Sequence, residues 1–87
     1  MNEKKLMFQD YLRSQIHMYR NFHAFSQEYM AEALRVSPRS YIDQEHGKYG
    51  FSVMTLVYYV FLLTDEEILI FFKELKILIG RRNGDAA

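Results

Sequence analysis

The sequence predicts an all-α protein of five helices, on three observations. Apolar residues recur at three- and four-residue spacing along much of the chain, and no stretch shows strand-type alternation. Ser or Thr stands where an N-cap is needed in front of four of the periodic segments. At 87 residues the chain makes one small domain, and with 49% apolar and 16% aromatic residues it has the material for a real core.

The first helix is expected over residues 3–22, where Leu6, Met7, Phe8, Tyr11, Leu12, Ile16, Tyr19 and Phe22 define one broad apolar face. Ser26 caps a second helix, 27–35, with Met30, Ala31 and Leu34 facing inward. Ser37 caps a third, 38–46, and Pro38 sits in its first turn, where a fixed φ fits and a missing N–H costs little. Gly47 lies just past its end, where a left-handed residue is wanted. Ser52 caps the fourth, 53–63, which is apolar nearly all round and so is expected to be buried on more than one side. Thr64 followed three residues later by Glu67 is a capping box that opens the fifth helix, 66–79, and Gly80 stops it. Residues 1–80 are therefore read as one domain, and 81–87 as a flexible tail.

Composition excludes several classes. With no cysteine there is neither a disulfide framework nor a thiolate metal site, which fits a reducing cytoplasm. No signal-peptide pattern is visible, and the longest apolar stretch, 51–63, is too short to span a bilayer. His17, His23 and His46 have no Cys or carboxylate at ligand spacing, so no metal or other cofactor is implied. Asp65, Glu66 and Glu67 are three acids in a helix first turn, where the macrodipole favours them. With no glycine-rich phosphate loop, nucleophile elbow or two-carboxylate cleft, an enzyme acting on a small-molecule substrate is not expected. The net charge is zero, which argues against a protein that coats nucleic acid indiscriminately but leaves room for a specific reader.

Residues 26–47, two short helices joined by a tight turn, read as a helix-turn-helix, whose usual work is to place its second helix in the DNA major groove. Over about residues 16–63 the chain resembles the lambda-repressor/Cro-like helix-turn-helix domain, the XRE family of bacterial and phage transcription regulators. The resemblance rests on Ser26-Gln27 opening the second helix, Ala31 flanked by Met30 and Leu34, Val36-Ser37 entering the third, and Glu45, Gly47 and Lys48 closing it. It implies a compact five-helix fold of that type. It also implies that Arg20, 25 residues before Glu45, pairs with that glutamate. Removing one partner of such a desolvated pair would leave a buried charge at a cost of about 3–5 kcal/mol. Three positions depart from the pattern. Arg35 stands at the left-handed turn position usually held by glycine, Tyr41 replaces a smaller inward residue, and Gln44 replaces an inward leucine and needs a hydrogen-bond partner if buried.

Carried over by position, the resemblance assigns base contacts to Pro38, Arg39, Ser40, Ile42 and Asp43. Arg39 is the best candidate for a bidentate contact to guanine, although Asp43, four residues on, is placed to pair with it along the helix. Ser26, Gln27, Lys48 and Tyr49 would meet phosphates. Helices four and five carry more apolar residues than a five-helix monomer hides, so Val57, Tyr58, Phe61, Ile68, Phe71 and Phe72 are expected to form a homodimer interface. The sequence thus reads as a cytoplasmic regulator that binds double-stranded DNA as a homodimer, with no membrane association. The alternative is a protein-interaction module that keeps the helix-turn-helix shape without binding DNA.

Overall fold

Each helix begins where a short polar side chain turns back to cap it. The computed structural model describes residues 2–80. Helix α1 spans Glu3–Phe22 and is capped by Asn2, whose Oδ1 accepts from the Lys4 and Lys5 amides. Ser26 caps α2, Gln27–Ala33, accepting from the Tyr29 amide at 3.0 Å. Ser37 caps α3, Pro38–Glu45, and Ser52 caps α4, Val53–Leu62, each accepting from the amide three residues on at 3.1 Å. Helix α5 spans Asp65–Gly80 behind a complete capping box: the Thr64 amide donates to Glu67 Oε1 at 2.9 Å, and the Glu67 amide donates to Thr64 Oγ1 at 3.2 Å. No strand occurs among the described residues. The expected all-α, five-helix architecture is therefore observed, and the tail expected at 81–87 lies outside the described residues.

The helix ends explain the small differences in bounds. Helices α1, α2 and α3 all close with the same double hydrogen bond. The Phe25 amide donates to the Arg20 carbonyl and the Ala24 amide to that of Asn21, with Ala24 left-handed at φ 57°. Val36 and Arg35 repeat this on Ala31 and Glu32, with Arg35 at φ 61°. Lys48 and Gly47 repeat it on Asp43 and Gln44, with Gly47 at φ 84°. Only one of the three left-handed residues is glycine. This closure ends α2 at Ala33, two residues short of the expected bound, because Arg35 has already reversed the chain.

The core is formed by Leu12 and Ile16 of α1, Met30 and Ala31 of α2, Leu34 just beyond it, Tyr41 of α3, Phe51 ahead of α4, Tyr59 of α4 and Phe71 of α5. Helix α2 packs on α3 and α4, while α1 packs on α5 and α3. Tyr41, larger than the residue its position usually holds, is accommodated with no exposed surface. One expectation is corrected: Leu6 and Phe22 do not belong to the buried face of α1, since they are 49% and 85% exposed. Helix α4 is covered around much of its circumference, as expected: Thr55 and Tyr59 are buried, and Leu56, Val57, Tyr58, Val60 and Leu62 are half-buried. Its exposed positions are Val53, Met54 and Phe61. No helix among the described residues is long and apolar enough to cross a membrane.

Candidate functional site

Glu45 is the polar hub of the α1–α2–α3 junction. Its carboxylate accepts from Arg20 Nε at 2.8 Å, Arg20 Nη2 at 3.3 Å, Gln27 Nε2 at 2.7 Å and the Tyr41 hydroxyl at 2.8 Å. His17 Nδ1 lies 3.3 Å away on its open side. Burial pushes the Glu45 carboxyl upward, but the donors from Arg20, Gln27 and Tyr41 together outweigh it and hold the group at about 2. Burial first, and the bond to this carboxylate second, drive the Tyr41 hydroxyl well above its usual range. Arg20 Nη1 also donates to the Phe25 carbonyl at 3.1 Å, so one guanidinium fixes both the C-terminal end of α3 and the α1–α2 loop. The expected Arg20–Glu45 pair is thus formed, within a larger network. His17 was not legible as a member from pairwise spacing to Cys or carboxylate. It sits one turn before Arg20 on the same face, so the Arg20–Glu45 pairing carries it there.

With its C-terminal end anchored, α3 turns its first turn outward. Pro38, Arg39 and Ser40 are exposed, and the Arg39 side chain retains 79% of its accessible surface. Ile42 and Asp43, also expected to face a groove, are half-buried. The Asp43 carboxylate lies 3.5 Å from Arg39 Nε, the intrahelical pairing that the spacing allowed. Gln44 is half-buried at the inward position; its Nε2 donates weakly to the Gly50 carbonyl at 3.5 Å, and its Oε1 has no hydrogen-bond partner among the described residues. Lys48 and Tyr49 are both exposed, with the ammonium 5.5 Å from the ring centroid. Gln27 is not the free phosphate donor that position alone implied, because one N–H is held by Glu45; its second N–H keeps donor capacity. Ser26 Oγ is engaged as the α2 cap.

Two tethers orient this unit on the rest of the molecule. The Arg35 guanidinium lies over the Tyr58 ring at 4.5 Å and reaches its hydroxyl at 3.5 Å, joining the α2–α3 turn to α4. Gln9 clamps the α3–α4 loop from both sides, its Nε2 donating to the Phe51 carbonyl at 3.0 Å and its Oε1 accepting from the Phe51 amide at 2.7 Å. Neither tether has a local sequence signal, since each joins residues more than 20 positions apart.

Of the residues expected at a dimer interface, Phe61 and Phe72 are 70% and 42% exposed, while Val57 and Ile68 are half-buried. Phe71 is corrected to the core, at 2% exposure and ringed by Tyr11, Tyr59 and Phe72. Tyr58 is half-buried and its ring is occupied by Arg35, so it is an internal tether. Leu69, Ile70 and Ile77, which the expected interface omitted, are 60%, 51% and 62% exposed. Compared with known protein families, curated proteins and solved structures, the chain matches none.

Proposed function

We propose that the protein is a sequence-specific, double-stranded DNA-binding regulator of the lambda-repressor-like type, acting as a homodimer with α3 in the major groove. The observation that carries this reading is the combination at α3: a helix clamped at its C-terminal end by the Glu45 network and open at its first turn, with an arginine whose side chain is 79% exposed. A major-groove reader needs a rigid helix whose first residues reach base edges. Pro38 limits the backbone freedom of that first turn, and Arg39 supplies the donor fork that matches guanine O6 and N7. Lys48 and Tyr49, exposed where the chain leaves α3, are suited to phosphate contacts. A two-fold dimer would set two such helices about 34 Å apart, one turn of DNA. Regulation would then act through occupancy of the site.

A second reading, a protein-interaction module, is favoured by one specific feature. Asp43 already pairs with Arg39, which places an acid beside the residue that would meet DNA. The test is selection from random-sequence duplexes across a salt series, with Arg39→Ala beside the wild type. Binding that weakens as salt rises, with enriched sites and base preference lost at one position in Arg39→Ala, is the expected result, a penalty of about 1–3 kcal/mol at that base. Absence of binding even at low salt would sink the regulator and leave the interaction module.

A further inference from the structure

Between α1, α4 and the first half of α5 lies a cleft of about 320 Å³ that the helix-turn-helix does not use. Tyr59 and Phe71 form its buried floor, and Tyr19 and Leu63 are half-buried in its walls. Phe22 stands at the rim, largely exposed yet held edge-on against His23 with ring centroids 5.1 Å apart. Ring packing fixes the shape of the floor: Tyr19 meets Tyr59 edge-on at 5.8 Å, and Tyr59 meets Phe71 at 5.6 Å. The cleft shares only Phe71 with the expected dimer interface, and Phe71 is buried.

The polar groups of this cleft favour one sign of charge. Glu67 is the one carboxylate that lines it, and no lysine or arginine does. Its Oε1 accepts from the Thr64 amide, while its other oxygen accepts no hydrogen bond among the described residues. The Tyr19 and Tyr59 hydroxyls donate to the Leu62 and Gln15 carbonyls, both at 3.4 Å, so each oxygen has acceptor capacity left to offer. Burial first, and the Glu67 charge second, hold both hydroxyls above their usual range, which places the field of that carboxylate inside the cleft. Aromatic faces are themselves negative, so rings beside a carboxylate attract a cation that has an apolar body. A bare metal ion is a poor match, because no group of three metal-binding side chains occurs among the described residues. An anion would meet Glu67 with no base to offset it. We propose that the cleft binds a small organic cation of the alkylammonium class, its charge between Glu67 and the Tyr19 and Phe22 rings and its alkyl groups over Leu63 and Phe71. The volume suits such a ligand, holding on the order of ten non-hydrogen atoms at about 30 Å³ each. No residue of α3 takes part, so this inference is independent of DNA binding.

The experiment is a titration of the full chain with choline, followed by amide NMR, beside the neutral alcohol in which a tert-butyl group replaces the trimethylammonium. Choline is expected to give saturable shifts clustered at Gln15, Tyr19, Phe22, Glu67 and Ile70, with a dissociation constant of roughly 1 mM. The neutral isostere has the same shape without the charge and is expected to bind roughly tenfold more weakly. Two variants separate the contributions. Glu67→Gln removes the charge but keeps an Oε1 to cap the Thr64 amide, and should weaken choline about three- to fivefold. Phe22→Leu keeps an apolar rim at an exposed position but removes the ring, and should weaken it roughly threefold. The same spectra report whether each variant is folded. Absence of saturable shifts at the cleft up to about 10 mM, an isostere that binds as tightly as choline, or two folded variants that bind like the wild type would each overturn the site.

Discussion

Glu45 is a carboxylate near the C-terminal end of a helix, where the macrodipole disfavours negative charge, and it is also 92% removed from solvent by its 8% residual exposure. It remains ionised because Arg20, Gln27 and Tyr41 supply donors on three sides. Its folded pKa of about 2 lies below the ordinary 4.5, so the unfolded chain takes up the proton first as pH falls. The stabilisation is complete above about pH 4.5 and is lost as pH falls toward about 2. Its size by linkage is about 3 kcal/mol, a large share of a small domain's stability. Urea unfolding of wild type and Glu45→Gln from pH 2 to pH 7 should therefore show the wild-type advantage shrinking by about that amount between pH 4.5 and pH 2. Parallel curves would remove the carboxylate from the account of acid stability. The Arg20 pairing was legible by position, whereas the Gln27 and His17 contacts needed three helices to converge; the Tyr41 bond lies within α3, four residues before Glu45.

At the scale of elements, the helix starts were legible and the helix stops were less so, for a physical reason. A start is announced by a side chain that must itself make the bond, so Ser26, Ser37, Ser52 and Thr64 each mark one. A stop of the kind found here is made by backbone alone, and any residue able to tolerate positive φ will serve. Gly47 advertises its role, but Ala24 does not, although both end helices by the same pair of bonds. An L-residue in the left-handed region costs about 1–2 kcal/mol, part of which glycine returns as greater freedom in the unfolded chain. Ala24 is exposed at φ 57°, so Ala24→Gly removes no packing and should stabilise by about 0.5–1 kcal/mol, raising Tm by a few degrees. Gly47→Ala should do the opposite. A calorimetric scan of both variants checks the pair, and a fall in Tm for Ala24→Gly would contradict the strain at that turn.

At the scale of the molecule, the unit formed by α2 and α3 is held in place by contacts distant in sequence. Gln9 is the plainest case: one side-chain amide satisfies both the donor and the acceptor of Phe51, whose ring enters the core. The α3–α4 loop thereby gains a fixed path, and Phe51 can be buried without an orphaned backbone group. Gln9→Ala should cost about 1–3 kcal/mol, because the Phe51 amide and carbonyl lose their partner together. Gln9→Glu should recover only part of this, since a carboxylate accepts from the amide but has no N–H for the carbonyl. Thermal unfolding of the two variants tests the clamp, and equal stability of Gln9→Glu and wild type would show that the carbonyl bond contributes nothing.

The sequence carries the number and order of the helices, the caps of α2 to α5 and the inward residues of α2, because these depend on neighbours within one or two turns. It also marked Arg20 and Glu45 through their place in a motif. Packing between the helices makes Phe71 core and Leu69 surface, and it leaves Phe22 and Phe61 uncovered. It likewise decided that Tyr58 is occupied by Arg35 and that Gln27 is held by Glu45. The reason is geometric. An apolar run around most of a helix states how much surface resists water, but which side is covered depends on where the other helices lie.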